Sequence, residues 1–234
     1  MWASLSRLGD FLAFKLLNDR DAGEVVAILE REYKDAHYYL NFKTPIDLVV
    51  AAILSAQTHD DVVNATTQAL FSKYKTAKDY ANAKPEDVIN IVKKVSFAGN
   101  KAKNIINTCK AIEKNYGGKV PDRMEQLVEL PGIGRKTANT ILINAYGIVE
   151  GIPVDTWVIK LSYRIGLSGN KDPEKIEQDL MKTIVKKYWH NWAYVMKAHG
   201  KKICQSIVPV CSKCPIGPNS TNKICPRNGV TKSA

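Results

Sequence analysis

Leu130-Pro131-Gly132-Ile133-Gly134-Arg135-Lys136-Thr137-Ala138 is the stretch of this 234-residue chain from which its fold is read. Leu-Pro-Gly-Ile-Gly joins two helical patterns through a very short turn. Gly132 and Gly134 permit positive φ and leave no Cβ between backbone and ligand. A helix that opens straight after such a turn aims several backbone N–H groups at one place, an arrangement suited to phosphate. Ile133 is expected to pack inward and fix the turn. Upstream, Val95-Ser96-Phe97-Ala98-Gly99-Asn100-Lys101-Ala102 is a second Gly-containing interruption that also leads into a helix through Lys-Ala. From there Ile105, Ile106, Cys109 and Ile112 fall at helical spacing within Asn104–Tyr116, and Gly117-Gly118 stops the run. Thr44-Pro45 reads as N-cap and first residue of an apolar helix, Lys84-Pro85 precedes Glu86 and Asp87 in another first turn, and Asp172-Pro173 starts a helix carrying Ile176, Leu180, Ile184 and Val185. Pro153-Val154-Asp155-Thr156 reads as an Asp cap before Val158, Leu161 and Ile165. Strand-like alternation is scarce, so the chain is all-α.

Hydrophobic residues at 45% and charged residues at 24% are ordinary globular values and exclude a disordered or fibrous chain. The longest apolar run, Leu48 to Leu54, is far too short to span a bilayer. Met1–Arg7 lacks a basic segment followed by a long apolar one, so no signal peptide is expected and the protein is placed inside the cell, in the cytoplasm or nucleoid if the source is a prokaryote. The net charge is +11, and ten of the 34 basic residues but none of the 23 acidic ones lie in residues 180–234. A polyanion such as nucleic acid is the first candidate partner of that segment; a basic surface that is merely solvated is the alternative.

Cys109 sits alone in a helical pattern and reads as a buried inert thiol. Cys204, Cys211, Cys214 and Cys225 are clustered, and in an intracellular protein such density suggests metal ligands before disulfides. Four thiolates fit either a [4Fe–4S] cluster or a structural zinc.

Leu130 to Asn139 resembles the helix–hairpin–helix of the endonuclease III family of DNA glycosylase/AP lyases. Leu54-Ser55-Ala56-Gln57, Val154-Asp155-Thr156 and Ala198-His199-Gly200 resemble further segments of that family in the same order, so the similarity spans roughly residues 30–228. It implies two helical lobes: a barrel domain over 38–148 carrying the hairpin, and a cluster domain made of 1–37 and 149–234, with DNA in the cleft between them. Gly132, Ile133, Gly134 and Arg135 would then hold DNA, with Lys201 and Lys202 on the basic segment.

The same resemblance places a Schiff-base nucleophile at Lys136 and a catalytic carboxylate at Asp155. A lysine that attacks an anomeric carbon must be neutral, and Arg135, the positive end of its helix and burial under DNA are means of lowering its pKa. Asp155 would stabilise charge developing on the sugar and relay the lysine's proton. Trp157 departs from the family, which commonly has His there. Gln57 is the expected filler of the gap left by an everted nucleotide, and Phe97, where the family often has leucine, the opposing wedge. Cys204-x6-Cys211-x2-Cys214 reproduces the family's spacing, which favours iron–sulfur. Cys214-x10-Cys225 is five residues longer than usual, and the turn-rich insertion between them is expected to loop out without moving the fourth ligand.

The expected activity is removal of oxidised pyrimidines and cleavage of the abasic strand by β-elimination, by a monomer acting on double-stranded DNA with a damaged or abasic site. A thymine or uracil mismatch glycosylase is the alternative within the family, and a non-catalytic DNA-binding module the alternative outside it. Mere binding requires neither Lys136 nor Asp155.

Overall fold

The structure, a computed structural model, describes residues 14–234; Met1–Arg7, read above as containing no leader, lie outside the described residues. The described residues are helical with no strand. They divide into two compact units, one formed by the chain up to His37 together with Val154–Ala234, the other by Tyr38–Pro153. No helix among them is long and apolar enough to cross a membrane.

The chain enters through α1 (Asp19–Glu32), capped by the Asn18 side chain, and passes into the continuous unit. There α2 (Pro45–Ser55) follows a capping box, with Thr44 accepting from the Asp47 N–H and Asp47 accepting from the Thr44 N–H at 3.1 Å. Its residues Leu48, Val49, Val50, Ala51 and Leu54 are all inaccessible to solvent, so this is a central helix apolar on every side. Around it are α3 (Asp60–Lys73), α4 (Ala77–Ala81, with a second capping box from Thr76 and Asp79), α5 (Pro85–Val92), α6 (Ala98–Tyr116), α7 (Met124–Val128) and α8 (Arg135–Ile141), which runs on into a π-helical turn at Leu142–Tyr146. The core draws on Leu70, Tyr80, Val88, Ile105, Ile112, Leu127 and Ile141. Cys109 lies within it at 0% exposure, and burial pushes its thiol up to about 12, which is the inert thiol expected.

The second unit adds α9 (Thr156–Ile165), α10 (Pro173–Thr183) and α11 (Trp189–Lys202) to α1. Fully buried Trp192, Val195 and Met196 on α11 pack in the same unit as Val25, Val26 and Leu29 of α1. The entering strand of chain is tied in by polar bonds: Leu17 donates to the Gly166 carbonyl at 2.8 Å, while buried Asn228 accepts from the Lys15 N–H and donates to the Lys15 and Tyr163 carbonyls.

Two helix limits differ from the sequence reading. α6 starts at Ala98 rather than Asn104, because Phe97 turns the chain directly into it with a left-handed backbone, φ 58°. α10 ends at Thr183, leaving Ile184 buried past its end and Val185 64% exposed instead of on its apolar face.

Candidate active site

Pro131 and Gly132 form the corner of a turn closed by a bond from the Ile133 N–H to the Leu130 carbonyl at 3.0 Å. Gly132 has φ +80°, the left-handed value that the third residue of a type II turn requires. Gly134 does not use that freedom: it caps α8 at φ −97° and ψ 174°, and a Cβ there would meet nothing within 4 Å. Its lack of a side chain therefore leaves open space beside the first turn of α8. Ile133 is 4% exposed, so any contact it makes with a ligand is through its backbone. Arg135 and Lys136 are exposed in that first turn, and the Lys136 carbonyl accepts from the Thr140 hydroxyl at 2.9 Å. The hairpin rests on α6, where Thr108 donates to the Pro131 carbonyl and Asn104 lies against Gly132.

Gln57 and Phe97 are both exposed, Phe97 by 64%, so its ring is not spent on the core. Both have left-handed backbones, φ 53° and 58°, a conformation uncommon outside glycine. Their loops are joined by a bond from the Ser96 N–H to Thr58 Oγ1 at 3.3 Å. Beneath them lies a residue that the sequence reading passed over. Lys101, 6% exposed, donates to the carbonyls of Leu54 (2.8 Å) and Ala56 and to Thr58 Oγ1 (2.9 Å). Burial lowers its pKa. The hint in the sequence is the lysine that follows both Gly-containing interruptions, in Lys101-Ala102 and in Lys136-Thr137-Ala138.

Asp155 caps α9. Its Oδ1 accepts from the N–H groups of Trp157 and Val158, both at 2.9 Å, and Oδ2 has no hydrogen-bond partner among the described residues. The cap thus occupies one oxygen and leaves the other available for chemistry. Lys136 belongs to the continuous unit and Asp155 to the other. Trp157 is half-buried, and its ring lies so close to Gly200 that a Cβ there would come within 2.1 Å of it. The glycine of Ala198-His199-Gly200 accommodates the indole, a pairing that only the folded chain reveals.

The four clustered cysteines are free thiols around one small cavity of about 20 Å³, walled also by Ile165, Ile203, Pro209 and Val230. Burial raises the thiol of Cys204 and pushes Cys214 up to about 11 and Cys225 to about 12. Such thiols become thiolates when a cation supplies the missing charge, so the donor set suits a metal group. Gly217 is fitted to the site, since a Cβ would lie 2.6 Å from the Cys211 carbonyl and 2.8 Å from Cys214 Cβ. The long interval folds on itself: Ser220 donates to the Gly217 carbonyl, and Cys225 donates to the Ile216 carbonyl at 2.9 Å, next to Cys214. His199, 1% exposed, bonds Tyr33 Oη through Nδ1 at 2.9 Å, and its Nε2 lies 3.8 Å from Cys214 Sγ. Burial pushes this imidazole down to about 4. Among the described residues no three His, Cys, Asp or Glu side chains converge as ligands of a single ion.

Lys201 and Lys202 are exposed at the end of α11, with Lys202 Nζ 4.0 Å from Glu32 and 5.9 Å above the Tyr33 ring.

Residues 50–186 match the model of the HhH-GPD superfamily of base excision DNA repair proteins. The endonuclease III of Synechocystis sp. is 42% identical over 195 residues, 83% of this chain and 89% of that protein; that of Bacillus subtilis is 39% identical over 79% of this chain and 84% of its own length. Among solved structures, a trapped covalent intermediate of an endonuclease III with DNA superposes with a TM-score of 0.82 at 34% identity, over 86% of this chain and 94% of that one. A non-covalent endonuclease III–DNA complex reaches 0.85 at 33% identity, over 92% and 97%. A thermostable thymine-DNA glycosylase, 18% identical with a TM-score of 0.79, shares the fold. The chain belongs to the HhH-GPD superfamily and, within it, to the endonuclease III family of base-excision repair DNA glycosylase/AP lyases.

Proposed function

We propose that the protein excises oxidised pyrimidines from duplex DNA and cuts the resulting abasic strand, with Lys136 as nucleophile and Asp155 as its carboxylate partner. The observation that carries this reading is an exposed lysine in the first turn after the hairpin, in a chain 34% identical to an endonuclease III caught covalently on DNA. The neutral Lys136 amine attacks the anomeric carbon, the glycosidic bond breaks, and the base departs with the bonding electrons. As the amine nitrogen gives up its protons, the bond between that carbon and the ring oxygen opens and the ring oxygen takes up a proton. The resulting imine acidifies the proton on the adjacent sugar carbon. Loss of that proton expels the 3′ phosphate and breaks the strand, and water then releases the lysine. Asp155 Oδ2 is the oxygen available to stabilise positive charge on the sugar and to exchange the lysine's proton.

Gln57 and Phe97 fill the gap left by the everted nucleotide. Their exposure, together with strained backbones held in place from below, supports that assignment. Cys204, Cys211, Cys214 and Cys225 hold a [4Fe–4S] cluster. Four free thiols lining one cavity, three of them at the family's spacing, support that assignment. When bound, the group neutralises the thiolates and fixes the C-terminal basic segment. The enzyme acts as a monomer inside the cell, on double-stranded DNA with a damaged or abasic site.

The test is borohydride trapping on thymine-glycol and abasic duplexes. The wild-type chain should cross-link to both. Lys136→Gln should lose the cross-link while still binding duplex, whereas undiminished trapping would move the nucleophile elsewhere. Asp155→Asn, which keeps an Oδ1 acceptor for the cap, should slow base excision without lowering Tm; full activity would reduce Asp155 to a helix cap.

A further inference from the structure

A lysine at 6% exposure is an unusual core residue, since the ammonium loses its water and its hydrogen-bond partners include no carboxylate. Lys101 compensates through three donors placed on three oxygens. Two of these, the Leu54 and Ala56 carbonyls, belong to the C-terminal end of α2, where unpaired carbonyls and the negative end of the helix dipole favour a cation. The third is Thr58 Oγ1.

These acceptors are not scattered. Ala56 and Thr58 stand immediately before and after Gln57, so a single Nζ holds the left-handed residue from both sides. Thr58 Oγ1 also accepts from the Ser96 N–H, next to Phe97, and the Lys101 N–H bonds the Phe97 carbonyl at 3.1 Å. The Lys101 side chain therefore holds Gln57 directly on both flanks and the Phe97 turn through Thr58 Oγ1, the bond to the Phe97 carbonyl being the helix's own backbone. Such left-handed conformations persist only where the surroundings over-determine them.

We propose that Lys101 is a positioning residue for lesion recognition, setting Gln57 and Phe97 in one fixed pose from which both enter the duplex together. This rests on the reading of Gln57 and Phe97 as gap-fillers. Lys101 touches neither DNA nor the reacting atoms; it acts through the Ala56–Thr58 corner. Its effect should appear only where a nucleotide must be turned out of a duplex and its space occupied.

The full-length protein is assayed for strand cleavage at an abasic site in a duplex and in the same strand alone, and the ratio of the two rates is read. The single strand has no opposing stack to fill. Gln57→Ala should lower the ratio, and Lys101→Met and Thr58→Val should lower it by about tenfold, as expected for groups displaced by a fraction of an ångström to an ångström. Thr58→Ser, which keeps the hydroxyl, should hold the ratio within about twofold of wild type. If Gln57→Ala lowers the ratio while Lys101→Met and Thr58→Val leave it unchanged, the proposal is overturned and the gap-filler reading stands. If Gln57→Ala itself leaves the ratio unchanged, both fall. Equal loss on both substrates would make Lys101 merely structural and overturn its positioning role. Should Lys101→Met not fold, the contrast between Thr58→Val and Thr58→Ser decides.

Discussion

Gly132 and Gly134, two residues apart in one hairpin, are glycines for different reasons. At Gly132 a side chain meets both a φ of +80° and the amide of Asn104, 3.0 Å from where Cβ would lie. Gly132→Ala should therefore cost roughly 1–2 kcal/mol in backbone strain alone and lower Tm by several degrees. At Gly134 neither obstacle exists. Gly134→Ala should stay within about 1 kcal/mol of wild type, the ordinary difference at a helix cap, yet weaken duplex binding, because a methyl group then stands where a phosphate approaches the backbone. Thermal melts and duplex titrations of the two variants should rank them in opposite orders. Wild-type affinity in Gly134→Ala would put the phosphate elsewhere. The sequence could not separate these roles, since glycine looks alike whether it serves φ or space. Gln57 and Phe97 hide more: nothing in their side chains announces a left-handed backbone, because the contacts that impose it come from Lys101 and Thr58.

At the scale of elements, what was legible was local. Thr44-Pro45, Asp155 and Asp172-Pro173 do start helices, because an N-cap acceptor and a preset φ act within three residues. What escaped depends on partners distant in the chain. α6 is the clearest case: Lys101, Asn104 and Thr108 lie on one face of it and bear respectively on the Gln57 corner, Gly132 and the Pro131 carbonyl. Their spacing puts Lys101 and Thr108 on the stripe of Ile105 and Ile112, but nothing in the sequence names the carbonyls they bond there. The cysteine segment is intermediate. Its donors were visible, whereas the closure of the long interval by the Cys225–Ile216 bond was not. The purified protein should be yellow-brown and carry about four irons with matching sulfide, and Cys225→Ser should lose much of both. One zinc without colour would refute the iron–sulfur assignment, and a full cluster in Cys225→Ser would place the fourth ligand elsewhere.

Over the whole molecule, the charge excess lies in residues 180–234, and it should make duplex affinity fall steeply with salt, each neutralised phosphate adding about −0.9 to the log–log slope. The structure refines how this is tested. Lys202 faces Glu32 at 4.0 Å, so reversal to Glu would set two carboxylates against each other and perturb α1. Neutralisation at Lys201 and Lys202 to Gln is the cleaner change. It should flatten the slope and weaken intact and abasic duplexes by similar factors, since phosphate contacts carry no base identity. An unaltered slope in the folded variant would leave this end of α11 merely solvated.

The division of the chain also orders events during its synthesis. Tyr38–Pro153 is continuous and can complete its core once its own residues have emerged, whereas α1 packs with α10 and α11 and its lead-in is tied to Asn228. A 14-residue helix is marginal by itself, so α1 must wait for partners translated roughly 7–34 s later at 5–20 residues per second. The unit that closes last is the one that encloses the four thiols. They consequently remain reachable from solution until Cys225 and the chain around it have been made and packed.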